Sequence, residues 1–377
     1  MKYRFLKTLF VVWPLCCLGA CGDVIRIYEH DSHEDSTSDD MTSDGQSSDQ
    51  SSDQVSDPPP TSTDCAEAST FVATHGQLKV EGRDLKDSCG NFVRLKGVSS
   101  MWLNWERDGY ATNKTAMKWM IDNWDIKVIR AAMGTEPQGA YLSSESAATN
   151  LKGQVSTIVQ NAIDLGIYVI IDWHAHSASD ANQKSEAIAF FKEMAKKYGT
   201  YPNVLYEVWN EPLEVDWASV VKPYHEDLVA AIRAEDPDNI IILGTPQWDQ
   251  LVNVATTDPV DGDNLMYTVH FYSCTHGSDL ISLASGAYSA GVPIFVTEWG
   301  ATSSDGGYDM VVCEDEADQW MDFLDRAYIS WSAWKLDDCD DQLDSSCLLK
   351  RGAPVDGGWA GYLNGHASYV VKKLLEE

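Results

Sequence analysis

The sequence is poor in positive charge. Its 377 residues carry 27 Lys+Arg against 58 Asp+Glu, a formal net charge of −31. Phosphate binding needs basic patches, so nucleic acid is not an expected partner. No apolar run reaches the ~20 residues that a membrane-spanning helix needs. No Gly-rich loop follows the first strand-like run, which counts against a dinucleotide-binding sheet. No CxxC pair is present, so the cysteines do not suggest zinc, and no metal or other cofactor is expected. Large apolar residues are sparse in residues 21–63, where Ser, Asp, Gln and Pro dominate. Such a segment cannot bury enough surface to offset its chain entropy and reads as a disordered linker. Eleven acids there face one base, Arg26, so roughly a third of the net charge belongs to an extended, self-repelling tether.

The remaining composition is globular, with 44% hydrophobic residues, fourteen Trp and sixteen Tyr. Flat aromatic faces suit sugar rings, although most aromatics serve as core. Residues 1–20 have Lys2, Arg4 and Lys7 ahead of an apolar stretch from Thr8 to Leu18, the pattern of a secretory signal peptide. Of nine cysteines, Cys16 and Cys17 belong to this region and Cys21 directly follows it. Cys65, Cys89, Cys274, Cys313, Cys339 and Cys347 remain. An even number in an exported chain predicts disulfides, and fifteen pairings are possible. The expected ones are Cys65–Cys89, Cys274–Cys313 and Cys339–Cys347.

From residue 64 to 377 the chain alternates strand and helix. A short N-terminal β-hairpin is expected from Gln77–Val80 and Phe92–Leu95, around turn signals at Gly82, Asp87 and Gly90. Eight apolar, β-rich runs follow: Leu95–Ser99, Lys127–Met133, Tyr168–Trp173, Val204–Trp209, Ile240–Gly244, Met266–Phe271, Ile294–Thr297 and Ile329–Trp334. Amphipathic stretches such as Ser185–Tyr198 and Val220–Ala234 lie between them. Near-continuous Val/Ile runs indicate strands buried on both faces, hence a parallel sheet. Eight of them in one domain predict an α/β fold of the (β/α)8 TIM-barrel type rather than an open sheet.

In such a barrel the C-terminal strand ends carry the chemistry. Here those ends offer Arg130, Asp172-Trp173-His174, Asn210-Glu211-Pro212, His270-Phe271-Tyr272, Thr297-Glu298-Trp299 and Trp331 with Trp334. Together with Leu95–Ser100, Ile129–Met133, Leu165–His174 and Ile294–Gly300, these stretches resemble glycoside hydrolase family 5, in particular the bacterial endoglucanases of its subfamily 2. The likeness runs from His75 to about Gly358. Leu18-Gly19-Ala20-Cys21 separately resembles a bacterial lipobox. That likeness implies a lipidated Cys21, with membrane contact through this anchor alone, and Gly22 favours the outer membrane or cell surface; the alternative is an ordinary cleaved signal and a secreted protein.

The family resemblance implies an endo-β-1,4-glucanase acting on cellulose-type β-glucan by retaining double displacement, and a monomer is expected. Glu211 would be the acid/base, its pKa raised by burial and the neighbouring carboxylate. Glu298 would be the nucleophile, with Arg130 and Tyr272 supporting its charge. Asn210 would bind the sugar 2-hydroxyl, His174 and His270 would line the cleavage subsite, and Trp334 would form its floor. Trp105 and Trp248 are candidate glucose platforms, whereas Trp331 reads as core. His174-Ala175-His176 has metal-ligand spacing, but two glutamates already supply the chemistry. Departures from the family pattern cluster on the non-reducing side: Met101-Trp102 after Ser99-Ser100, Gly134 for a Tyr, and Cys339 for a Lys. Trp102 would there replace hydrogen bonds with stacking. Another β-glycan (mixed-linkage glucan, xyloglucan or mannan) and a non-catalytic glycan-binding lipoprotein are the alternative readings.

Overall fold

The computed structural model describes residues 68–376, apart from 137 and 340–343. The expected signal peptide, lipidated Cys21, the linker and Cys65 lie outside the described residues.

A hairpin of β1 (Lys79–Glu81) and β2 (Asp84–Lys86) comes first. Its first arm was expected one or two residues earlier, and its second arm is not Phe92–Leu95. Gly82 adopts a left-handed φ of 65°, so a two-residue turn closes the hairpin at Glu81 and Asp84. Phe92 keeps only an isolated bridge to Lys86. The barrel strands are β3 (Lys96–Ser100), β4 (Val128–Gly134), β5 (Tyr168–His174), β6 (Val204–Glu207), β7 (Ile241–Leu243), β8 (Leu265–Thr268), β9 (Phe271–Tyr272), β10 (Ile294–Gly300) and β11 (Ser330–Leu336). All neighbours run parallel, and β11 pairs with both β10 and β3. The ring is closed and is a (β/α)8 TIM barrel, with β8 and β9 forming one broken stave beside β10.

Each of the eight expected runs holds a strand, with shifted ends. Val204–Trp209 stops at Glu207, and Met266–Phe271 breaks at Val269-His270. At both places the chain leaves the ladder where it delivers a polar residue to the rim. The expected helices Ser185–Tyr198 and Val220–Ala234 span Ala181–Tyr198 and Lys222–Arg233. Asp180 caps the former by accepting from the Asn182 and Gln183 amides.

Two apolar layers follow from the alternation of side chains along each strand. Val169, Ile171 and Trp173 of β5 face the helices in the main core. Tyr168 and Ile170 face the barrel axis beside Leu205, Ile242, Met266 and Phe295. Val72, Leu78, Leu85 and Val93 join this axial cluster, so the hairpin segment plugs the N-terminal end of the barrel. Further up the axis the inward positions turn polar, at Arg130, Asp172, His174 and Thr297, all buried. Between Val296 and Trp299 the β10–β11 register shifts. Such a bulge re-aims side chains, and it accounts for Glu298 joining Thr297 on the axial side.

Two of the expected disulfides form, Cys274–Cys313 and Cys339–Cys347. Both tie loops at the rim end of the barrel.

Two histidines away from the axis are held neutral by burial. His225 sits against the Gly244 carbonyl, and His366 accepts from the Ala301 amide and faces the Ser346 carbonyl. Burial lowers the pKa of each to about 4, against the effect of those backbone carbonyls. Unfolding below pH 6.5 lets each take up a proton that the fold denies it, so stability falls as pH drops from about 6.5 toward about 4. The slope is about 1.4 kcal/mol per pH unit for each group. Denaturant titrations of His366→Gln across that window are expected to show a flatter pH dependence than wild type; an identical slope would contradict this account.

Candidate active site

Arg130 on β4 organises the rim. Its guanidinium is fully buried and meets three carboxylates: Nε to Glu207 Oε2 at 2.7 Å, Nη2 to Asp172 Oδ2 at 3.0 Å, and Nη1 to Glu298 Oε2 at 2.9 Å. Nη2 also donates to Asn210 Oδ1 at 2.6 Å. A single cation among three buried acids leaves excess negative charge. Accordingly burial, with the neighbouring carboxylates, pushes Asp172 up to about 7 and raises Glu207, although Arg130 acts in the opposite direction on both. Burial likewise keeps the Tyr272 phenol protonated, and the adjacent Glu298 reinforces this. Tyr272 therefore donates to Glu298 Oε1, at 2.5 Å. Both oxygens of Glu298 thus receive donors, as the sequence suggested.

Glu211 lies in the segment after β6, and its environment differs. An oxygen of Glu211, a nitrogen of His270 and an oxygen of Glu298 all lie within 4.8 Å of one another. His270 Nδ1 is 2.9 Å from Glu211 Oε1, and His176 Nε2 is 3.3 Å from Oε2. Here the sequence expectation needs correction. Burial does raise the Glu211 pKa, but the hydrogen bonds and charge of His176 and His270 outweigh it, and the net shift is downward. The reason is that each carboxylate oxygen faces an imidazole. His174 and His176, the pair with metal-like spacing, do not converge. His174 turns to Asp172 at 2.7 Å and lies parallel to the Trp334 ring, 5.3 Å away.

The remaining expected residues flank this centre. Trp334 packs with Tyr272, Ala132, Met101 and Trp102. Trp331 is fully buried, as core. The rings of Trp102 and Trp105 stack at 4.9 Å, with Trp105 the exposed outer member at 47%. Beside them opens a cavity of about 250 Å³, lined by Met101, Trp105, Tyr308, Lys335, Asp337 and Cys339 among others. On the opposite side a cavity of about 300 Å³ lies between Glu211, Trp248, Gln250, Tyr272 and His276. Trp248 is exposed there, on a turn whose residues Gln247, Trp248 and Asp249 all have left-handed φ values of 53–59°. Each such residue costs about 1–2 kcal/mol. Amides of Gln247 and Trp248 donate to the carbonyls of Leu213 and Pro212, which latches this turn to the segment carrying Glu211.

Several site residues were not singled out from the sequence. Asp172 and Glu207 bind Arg130. Thr297 donates to Glu207 Oε1 and lies 2.9 Å from His270 Nε2. Asp249 is fully buried with Oδ2 3.5 Å from the same nitrogen. His176 was weighed only as a metal ligand. The available signal was a charged residue inside an apolar strand, which a buried strand tolerates only when it is paired.

Comparison with known proteins agrees with this geometry. Residues 86–340 match the model of the family described as cellulase (glycosyl hydrolase family 5). An endoglucanase from Clostridium saccharobutylicum is 45% identical over 317 residues, covering 84% of this chain and 68% of the relative. Endoglucanase A of Evansella cellulosilytica is 45% identical over 293 residues, covering 76% of this chain and 57% of the relative. The chain therefore spans between about half and two thirds of these relatives' length. Among solved structures, a Cytophaga hutchinsonii protein matches with a TM-score of 0.75 and 38% identity, covering 81% of this chain and 96% of that one. The catalytic domain of a Thermobifida fusca endoglucanase matches with a TM-score of 0.75 and 30% identity, covering 81% and 100%.

The departures at Trp102 and Gly134 are one structural unit. A Cβ at Gly134 would come within 2.0 Å of Asn104 Oδ1 and 2.8 Å of Trp102 Cε3. The missing side chain at 134 is thus what lets Trp102 settle between His174 and Trp105. Gly134→Ala is expected to lose about 1–3 kcal/mol in denaturant unfolding and to alter the tryptophan fluorescence. Gly153→Ala, where the added methyl meets nothing, is the control that should do neither. Wild-type stability in Gly134→Ala would refute the coupling.

Proposed function

The chain belongs to the cellulase family, glycosyl hydrolase family 5, and on that basis we propose that it is an endo-β-1,4-glucanase cleaving cellulose-type β-glucan with retention of configuration. The observation that carries the reading is the approach of Glu211 and Glu298 to within 4.8 Å, each with different partners. Retaining enzymes hold their two carboxyl groups ~5–5.5 Å apart, whereas inverting ones leave room for a water.

Glu298, its charge met by Arg130 and Tyr272, attacks the anomeric carbon. Glu211 protonates the departing glycosidic oxygen, then takes a proton from the water that releases the glycosyl-enzyme. Asn210 orients toward the sugar 2-hydroxyl. Its Oδ1 is held by Arg130, while its buried Nδ2 has no hydrogen-bond partner among the described residues. A buried donor left without a partner is costly, and a substrate hydroxyl supplies one. Trp334 and His174 form the floor of the cleavage subsite. Trp105, backed by Trp102, carries glucose units on one side, and Trp248 on the other. Space on both sides of the carboxylate pair supports binding in mid-chain, and hence internal cleavage. The Thermobifida fusca catalytic domain has been solved in complex with cellotetraose, which supports a β-1,4-linked glucose chain as substrate here. No step requires a second copy, consistent with a monomer. The patterns in residues 1–63 support export and attachment to the cell envelope through lipidated Cys21.

The test is product analysis on cellopentaose and carboxymethylcellulose, with the anomeric configuration followed by NMR. Wild type is expected to release β-anomers first. Glu211→Gln and Glu298→Gln are each expected to lose about 10²–10⁴-fold or more in kcat/KM while keeping the wild-type circular dichroism spectrum. Initial α-anomer release, or substantial activity in either variant, would refute the assignment.

A further inference from the structure

If Glu211 is to donate a proton, its resting state presents a difficulty. Two imidazoles face its two oxygens, and together they stabilise the carboxylate rather than the acid. The two are not equivalent. His270 is 2% exposed and is wedged against Thr297 Oγ1 at 2.9 Å, Asp249 Oδ2 at 3.5 Å and Glu207 Oε1 at 3.8 Å. His176 is 36% exposed, so its ring is accessible to solvent, and its Nε2 lies 3.3 Å from Glu211 Oε2.

The loop carrying His176 is held in place. Glu136, in the segment after β4, accepts from the Ser177 amide at 2.5 Å and from Gln183 Nε2 at 2.9 Å through the same oxygen. The Trp102 ring stands edge-on to His176, with centroids 5.8 Å apart. The charged and titratable groups acting on His176 come from four directions: Glu211 after β6, Glu136 after β4, Glu298 on β10, and His174 at the end of β5, two residues earlier. Three are acids. Burial lowers the His176 pKa, but the bond to Glu211 and the charges of Glu211, Glu136 and Glu298 raise it overall.

Building on the retaining-glucanase reading, we propose that His176 is a positioning residue that stores the proton Glu211 delivers and thereby sets the alkaline limit of the reaction. One proton is shared by the pair. At rest it sits on Nε2, giving imidazolium and carboxylate. Transfer across the 3.3 Å contact gives neutral imidazole and a carboxylic acid. The acid then protonates the glycosidic oxygen as the C–O bond breaks and Glu298 bonds to the anomeric carbon. In the second half-reaction Glu211 takes a proton from the attacking water, which restores the pair. Loss of the shared proton at high pH leaves no acid, so the alkaline limb of kcat/KM reports the pair rather than Glu211 alone.

The test is the pH profile of kcat/KM on a neutral chromogenic cello-oligosaccharide. His176→Gln is expected to move the alkaline limb to lower pH by about one unit or more, with KM changed less than about twofold. Glu136→Gln keeps the ring in place and removes one raising charge, and should give a smaller shift in the same direction. An unmoved limb in an active His176→Gln, or a raised KM with the limb unchanged, would overturn the proposal; the latter would make His176 a sugar contact. Should the His176 variant fold poorly, NMR titration of the His176 ring gives the answer in Glu211→Gln. Its pKa should fall relative to wild type, and an unchanged value would overturn the pairing. A wild-type protein that cleaves no β-1,4-glucan would instead defeat the functional reading, and the NMR result would stand apart from it.

Discussion

A single buried guanidinium organises the rim of this barrel. Arg130 projects from β4 into the axis and is matched there by Asp172 of β5, Glu207 of β6 and Glu298 of β10. Four staves of the ring are thereby tied together at one level. Removing one member of such a buried ionic cluster strands the others and typically costs about 3–5 kcal/mol. The same constraint explains the axial division of the barrel. Below Arg130 the interior is filled by Tyr168, Ile170, Leu205 and Phe295. Above it an apolar filling would leave those charges unpaired.

The cluster also gives the two carboxyls proposed to react different surroundings. Glu298 lies at the end of a parallel strand, bulged so that it turns to the axis, and receives a cation and a phenol. Glu211 lies in an irregular segment and receives two imidazoles, groups that can give up a proton as well as hold one. The two carboxyls thus have different partners, and an unequal pair of this kind is what the proposed double displacement needs. The strained Gln247–Asp249 turn serves the second network on two sides. It places Trp248 in the wall of the cavity that Glu211 also lines, and the buried Asp249 with Oδ2 3.5 Å from His270 Nε2.

Much of this was legible in the residues. Eight Val/Ile-rich runs signalled a parallel barrel because its strands are apolar on both faces. Asn210-Glu211-Pro212 and Thr297-Glu298-Trp299 stood out because polar residues close otherwise apolar runs. Strand ends were less legible. Val208, Trp209 and Val269 are as apolar as the ladder residues before them, yet they already belong to the turns that present Asn210, Glu211 and His270. The hairpin's second arm was misplaced because Phe92–Leu95 has strand-like alternation, whereas a tight turn at Gly82 pairs the nearer segment first. The pKa direction of Glu211 could not be read, since it depends on an imidazole arriving from the loop after β5. Asp249 was equally hidden, because its burial follows from three consecutive left-handed residues that no sequence pattern announces.

The central claim is that Glu298 becomes covalently linked to the sugar while Glu211 serves as the acid. It is tested most directly by trapping the intermediate. A 2-deoxy-2-fluoro cellobiosyl substrate with a good leaving group slows release of the glycosyl-enzyme more than its formation. Mass spectrometry of the intact protein should then show one added fluoro-cellobiosyl unit, and peptide mapping should place it on Glu298. An adduct on another residue, or turnover with no adduct and with inverted product, would contradict the account.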